Sequence, residues 1–205
     1  VMEPPREVRK ALVECARDES PGLHRYMPNA GFADVRAAIA ESLSPECKVE
    51  ISPNDVVMVC GAAGGINITL KTLLDPDDEV IIFTPYFVEY LFYADNHGGK
   101  AVAVPTLDNF YLDFLALKSA LNEKTKAVII NSPNNPTGVV YSRKELQELA
   151  DVLKAYSDQI GKPIYLISDD PYKKIVFDGV EAPNILEFYQ NSIYITSHSK
   201  DIALR

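Results

Sequence analysis

The chain has 205 residues, 47% of them hydrophobic and 24% charged, which is enough to bury a sizeable core in one soluble globular unit. Its net charge of −9 argues against a nucleic-acid or anionic-membrane surface, and no apolar run approaches the ~20 residues that span a bilayer. Cys15, Cys47 and Cys60 show no CxxC spacing and cannot all pair, which favours a reduced, cytoplasmic setting.

The N-terminal part of the chain reads as two helices separated by a loop. Residues 5–17 predict a helix, and residues 20–32 are rich in Pro, Gly and Asn, which indicates an ordered loop or linker. Residues 33–43 return to helical periodicity, with apolar residues spaced by four. We therefore expect residues 1–30 to be an N-terminal helix and loop that lead into a larger domain at 31–205.

From Asp55 onward, short β-branched runs alternate with helical stretches. Strands are predicted at 56–60, 79–83, 100–104, 126–130, 163–167 and 192–196. Helices are predicted near 63–74, 87–96, 112–121 and 142–157. Apolar strands with intervening helices predict an α/β fold with a mostly parallel sheet sandwiched by helices. In such sheets the ligand site lies beyond the carboxyl ends of the strands.

Small and aromatic residues follow the first two predicted strands. The run GAAGG at 61–65 lets backbone N–H groups at a helix start approach a phosphate, although a tight turn for packing explains it equally well. The run TPYFVEY at 84–90 places an aromatic cluster at a strand end. That cluster is either an edge of the core or a platform for a flat ligand.

The most specific motif is NSPNNPTG at 131–138, whose prolines and glycine predict a rigid loop. Ser142 is positioned to cap the next helix, with Glu145 completing a capping box. The asparagines either form turns or contact a ligand.

Two acidic residues follow the fifth predicted strand. Asp169 leaves a buried strand and must be paired, hydrogen-bonded or neutralised, whereas Asp170 is expected to be solvated. SHSK at 197–200 follows the last strand, so Lys200 is either a surface lysine or a site residue. His198 is expected to point away from Lys200, and the histidines show no metal-ligand spacing, so no metal is expected.

Together these motifs resemble those of fold-type I pyridoxal-phosphate enzymes of the class I/II aminotransferase family, from about Tyr26 to the last residue. The resemblance implies that residues 31–205 are most of a large, cofactor-binding domain. It implies that Lys200 forms an imine with the aldehyde of pyridoxal 5′-phosphate and moves the substrate proton, with Asp169 paired to the ring nitrogen. It also implies that Tyr172 and Asn135 bind the ring's 3-oxygen.

The resemblance assigns the remaining cofactor contacts as well. Phe87 would stack on the ring, and Tyr26 would reach the phosphate of the neighbouring subunit's cofactor, which implies a homodimer. The phosphate would be held by Gly61, Ala62, Ala63 and Ser197, with Ser199 as a further candidate.

The implied reaction moves an amino group between an amino acid and a 2-oxo acid. A lyase or decarboxylase using the same cofactor, a ligand-sensing domain of a transcription regulator and a non-enzymatic relic remain alternatives. The amino acid substrate is left open.

The match departs from the family at both ends. The family has a phosphate-binding arginine eight residues after the lysine, and Arg205 is not its equivalent. The N-terminal arm and the C-terminal small domain are also missing. The resemblance therefore implies a fragment that would be inactive alone.

Overall fold

The structure, a computed structural model, describes residues 3–203 and is built around a five-stranded sheet. β-branched residues recur in every strand, as expected for positions on a pleated, buried surface. The strands are β1 (Glu79–Thr84), β2 (Lys100–Pro105), β3 (Thr125–Ile130), β4 (Tyr165–Asp169) and β5 (Ser192–Ile195).

All neighbouring strands are parallel, in the order β2-β1-β3-β4-β5. Ile129 of β3, for example, is in register with Ile82 of β1 and Ile167 of β4. A parallel sheet brings the carboxyl ends of its strands to one edge, so the segments that follow the strands meet there.

Seven α-helices occur within the described residues 3–203. They are α1 (Arg6–Arg17), α2 (Ala33–Cys47), α3 (Gly61–Leu73), α4 (Glu89–Asp95), α5 (Phe114–Ala120), α6 (Arg143–Ile160) and α7 (His198–Asp201). Short 3₁₀ helices lie at Pro53–Asp55 and Ile185–Glu187. The predicted capping box is present: the Ser142 hydroxyl accepts from the Glu145 N–H, and the Glu145 carboxylate accepts from the Ser142 N–H.

The hydrophobic core lies on both faces of the sheet. On one face, Ile81 and Val128 pack with residues of α5 and α6 such as Leu117 and Leu149. The other face has its own cluster, formed by the alternate strand residues and residues of α3 and α4: Val80, Ile82, Ile129, Ile167, Ile66, Leu70 and Tyr90. The prediction of a parallel α/β sheet between helices is confirmed.

The predicted strand at 56–60 is wrong for the described part of the chain. This segment has no ladder with any described strand, and its Met58 N–H donates instead to the Ala30 carbonyl at 2.9 Å. Val57 is 56% exposed. β-branched residues favour a pleated surface only when a neighbouring strand supplies hydrogen bonds and packing, and the described chain supplies neither here.

The N-terminal segment is almost entirely exposed. Helix α1 has no buried residue, and residues 9–29 are all exposed. Within residues 3–203, no helix combines the length and apolar character needed to cross a membrane. Arg205, which the sequence comparison with the family singled out, lies outside the described residues, as do positions 1, 2 and 204.

Candidate active site

A cleft of about 330 Å³ lies at the carboxyl edge of the sheet. It is lined by every predicted cofactor residue of the chain except Tyr26. The residues concerned are Gly61, Ala62, Ala63, Phe87, Asn135, Asp169, Tyr172, Ser197, Ser199 and Lys200. Tyr26 lies in the exposed N-terminal segment and its side chain touches none of this cleft.

One end of the cleft is formed by the start of α3. Gly61 has φ +69°, and the preceding Cys60 gives no side-chain cap to the helix. Gly65 allows a close approach to β5, because a Cβ added there would lie 2.9 Å from Cγ2 of Ile195. The first turn of α3 therefore sits beside the segment that carries Ser197, and the two supply N–H groups and hydroxyls to one end of the cleft.

Asp169, the last residue of β4, is the buried acid of the cleft. The Tyr90 hydroxyl donates to its Oδ2 at 2.6 Å, while Oδ1 is buried without a hydrogen-bond partner among the described residues. Burial raises the pKa of Asp169 to about 6, and the hydrogen bond from Tyr90 opposes that rise. Burial, followed by the neighbouring Asp169 charge, raises the pKa of Tyr90, so its hydroxyl keeps its proton and remains the donor.

Lys200 lies in α7 and lines the same cleft as Asp169 and Asn135. Its Nζ is 5.6 Å from the centroid of the Tyr172 ring, which places the amine against the cleft wall. His198 turns elsewhere, with its Nδ1 3.1 Å from Oδ2 of Asp201. Lys200 is thus an exposed residue whose side chain lines the cleft beside Tyr172.

The loop after β3 brings Asn135 to the cleft. Asn131, the first loop residue, uses its Oδ1 to accept from the Asn135 N–H at 2.5 Å. Its Nδ2 donates to the Asp169 carbonyl oxygen. The loop therefore contacts the end of β4 through side chains after the backbone ladder has ended.

Phe87 forms an aromatic wall of the cleft. Its ring meets the Tyr90 ring edge-on, with centroids 5.8 Å apart and planes at 84°. The Tyr90 hydroxyl also donates a hydrogen bond to Asp169, so the Tyr90 side chain contacts both Phe87 and the buried acid.

The expectation that Asp170 is solvated is wrong. Its N–H donates to the Ile195 carbonyl at 2.8 Å, which ties the end of β4 to β5 and leaves Asp170 2% exposed. Its Oδ1 accepts from the Ser168 hydroxyl at 2.8 Å. Burial raises the pKa of Asp170 to about 7.

Sequence reasoning did not identify Tyr90 and Asn131 as site residues. Tyr90 lies three residues after Phe87, and that spacing on a helical turn is a signal that could have found it. Asn131 lies within the rigid motif, but its bond to Asp169 depends on the pairing of β3 with β4, which the motif does not encode.

These groups fit pyridoxal phosphate chemically. The buried, unpartnered Oδ1 of Asp169 is an acceptor for a ring N–H, and the start of α3 with Ser197 suits a phosphate. Lys200 supplies an amine and Phe87 a ring surface in the same cleft.

A family model described as "Aminotransferase class I and II" matches residues 2–205. The chain is 31% identical over 205 residues to a probable aspartate aminotransferase of Methanocaldococcus jannaschii, covering 98% of this chain and 52% of that protein. It is 38% identical over 189 residues to an aspartate aminotransferase of Pyrococcus abyssi, covering 89% and 47%.

Solved structures show the same likeness. An aminotransferase from Eubacterium rectale superposes with a TM-score of 0.96 at 37% identity, over 99% of this chain and 52% of that one. The aromatic aminotransferase of Pyrococcus horikoshii superposes with a TM-score of 0.89 at 33% identity, over 100% of this chain and 55% of that one. The chain thus spans about half the length of the relatives it matches.

Proposed function

This chain belongs to the class I and II aminotransferase family, and on that premise we propose that the whole protein transfers an amino group between an amino acid and a 2-oxo acid. Members of the family use pyridoxal 5′-phosphate. The observation that carries the proposal is the unpartnered Oδ1 of Asp169, buried in the same cleft as Lys200 and Asn135. The names of the relatives favour this reaction over the lyase, decarboxylase and sensor alternatives.

Asp169 and Lys200 have the central roles in this proposal. Pyridoxal phosphate, when bound, supplies a conjugated pyridinium ring that withdraws charge from the substrate's Cα. The Oδ1 of Asp169 holds the proton on the ring nitrogen, because an adjacent positive charge lowers the carboxyl pKa against the rise caused by burial. Nζ of Lys200 binds the cofactor and then accepts and returns the Cα proton as a general base and acid.

The remaining residues bind and orient. Asn135 and Tyr172 donate hydrogen bonds to the ring oxygen without adding charge, and Phe87 packs against the ring face. The phosphate would be held by the backbone around Gly61, Ala62 and Ala63 and by the Ser197 hydroxyl, with Ser199 as a further candidate.

We further propose that the protein is a homodimer in which Tyr26 reaches the partner's phosphate site. Support comes from the full exposure of Tyr26 and from α1, whose Leu12 is 56% exposed on a helix with no buried residue. A cytoplasmic location is supported by Cys15, Cys47 and Cys60, which are unpaired, and the proposed amino-group transfer would place the protein in amino acid metabolism. Residues 31–205 are proposed as part of the cofactor-binding domain, inactive without the rest.

The test is a single half-reaction. The full-length protein is loaded with pyridoxal phosphate and given one amino acid without any 2-oxo acid. The proposal predicts stoichiometric release of the matching 2-oxo acid and conversion of the cofactor to pyridoxamine phosphate, both measured by mass spectrometry. Ammonia release with retention of the aldehyde would indicate a lyase, and no conversion with any of the common amino acids would overturn the proposal.

A further inference from the structure

Asn131 is a buried amide whose two polar atoms bond to two different parts of the cleft. It is 4% exposed and directly follows β3. Its Nδ2 donates to the carbonyl oxygen of Asp169, and its Oδ1 accepts from the N–H of Asn135 at 2.5 Å. A buried amide with both functions satisfied is a well-defined linker between its partners.

The position of Asn131 explains why this link is needed. The ladder between β3 and β4 ends where Ile130 is in register with Ser168. Asn131 and Asp169 directly follow this last pair along the chain, and they are not paired with each other in the ladder. The Asn131 side chain continues the connection for one more residue pair, at the point where the cleft opens.

The other hydrogen bonds of the loop do not replace this link. The Asn134 N–H donates to the Val139 carbonyl and the Gly138 N–H to the Asn134 carbonyl, both at 2.8 Å. These bonds shape the loop internally. At the base of the loop the Ser132 hydroxyl accepts from the Tyr141 N–H at 2.9 Å, whereas Asn131 bonds to Asn135 itself.

We propose that Asn131 is a positioning residue that sets the spacing between Asp169 and Asn135, and so aligns the two groups that contact the cofactor ring. This inference rests on the proposed function, because it takes the ring to lie between those residues. Asn131 acts through its two neighbours and leaves the phosphate end of the cleft unaffected, since neither of its bonds reaches α3.

The chemistry of the side chain limits what can replace it. Aspartate has nearly the same shape and, when ionised, keeps an acceptor for the Asn135 N–H, but it then has no proton to donate to the Asp169 carbonyl and adds a negative charge beside Asp169. Alanine removes both bonds. If Asn131 served only to form a turn, it would need the bond to the Asn135 N–H but not the bond to the Asp169 carbonyl.

Asn134 provides a matched control in the same loop. Its Oδ1 accepts from the N–H of Thr137 at 3.1 Å and from the Thr137 hydroxyl at 2.9 Å, so both of these bonds are local. Asn134 lines a neighbouring groove of about 450 Å³ that shares Asn135 and Tyr172 with the cleft, but Asn134 itself does not line the cleft. Asn134→Ala therefore loosens the loop without breaking the link to β4.

The experiment compares binding of two probes to the cofactor-free, full-length protein by calorimetry. Pyridoxamine 5′-phosphate carries the ring and the phosphate but no aldehyde, and inorganic phosphate reports on the α3 end alone. Asn131→Ala is expected to bind pyridoxamine phosphate about 10-fold more weakly or worse, as for the loss of one or two buried hydrogen bonds, with phosphate affinity unchanged. Asn134→Ala is expected to bind both probes as the wild type does.

Each other outcome is decisive. Wild-type affinity of Asn131→Ala for pyridoxamine phosphate, equal weakening by Asn134→Ala, or parallel loss of both probes overturns the positioning role. If Asn131→Ala does not fold, Asn131→Asp is used, and wild-type affinity in that variant overturns the inference. Failure of the wild type itself to bind pyridoxamine phosphate would instead reject the proposed function.

Discussion

Tyr90→Phe isolates the hydrogen bond that holds the buried acid of the cleft. The Tyr90 hydroxyl lies 2.6 Å from Oδ2 of Asp169, and Oδ1 has no partner among the described residues. A hydrogen bond to a charged group is worth about 1.5–3 kcal/mol, and one pKa unit corresponds to about 1.4 kcal/mol. Removing the hydroxyl should therefore raise the pKa of Asp169 by about one to two units in the cofactor-free protein, above its present value of about 6.

The assay is carbon-13 NMR of the side-chain carboxyls in the cofactor-free, full-length protein, recorded against pH. The comparison is made in proteins that also carry Asp170→Asn, because Asp170 has a pKa of about 7 and would titrate in the same pH range as Asp169. Asp169→Asn identifies the resonance. Phenylalanine keeps the edge contact with Phe87, so packing is held constant. A midpoint that stays in place or moves down in Tyr90→Phe would refute the role given to this hydrogen bond.

Three further predictions concern stability, measured by chemical denaturation of the full-length protein. Gly65→Ala should destabilise by about 1–3 kcal/mol, because the new Cβ would lie 2.9 Å from Cγ2 of Ile195, and this cost should be smaller in an Ile195→Ala background, which lacks Cγ2. Burial raises the pKa of Asp170 from 3.8 to about 7, so the folded protein holds the proton on this carboxyl more tightly than the unfolded chain does. The stability that this proton contributes is therefore full below pH 3.8 and is lost as the pH rises to about 7. Asp170→Asn should make the free energy of unfolding fall less steeply with pH, and an unchanged pH dependence would contradict the raised pKa of Asp170. Ser142→Ala should cost about 1 kcal/mol through loss of the capping box with Glu145, and Ser142→Thr should largely restore it.

The sheet and the gathering of site residues could be predicted because both follow from local patterns. The apolar runs of β1, β3 and β4 are largely buried, those of the edge strands β2 and β5 are partly exposed, and all are bounded by polar or turn residues. Once these strands are parallel, their carboxyl ends share an edge, and Asn135, Asp169 and Lys200 necessarily approach one another.

The strand expected at 56–60 shows where local pattern is insufficient. Its Val-Val-Met-Val run has the composition of a strand, but strand formation is decided by a neighbour with free backbone groups. In the described residues, Met58 bonds to Ala30 and no ladder forms.

The burial of Asp170 and the roles of Tyr90 and Asn131 depend on contacts between distant segments. Asp170 is buried because its N–H continues the pairing with Ile195, 25 residues further along the chain. Tyr90 reaches Asp169 across 79 residues, and Asn131 does so across 38. Such contacts follow from the packed fold, so no pattern of a single segment contains them.

Lys200 is the amine that we propose to bind the cofactor in this cleft. To test this assignment, the full-length protein is loaded with pyridoxal phosphate and reduced with borohydride, and the modified peptide is mapped by mass spectrometry. A phosphopyridoxyl group is expected on Lys200, with no such adduct in Lys200→Ala. An adduct on another lysine, with position 200 unmodified, would contradict it.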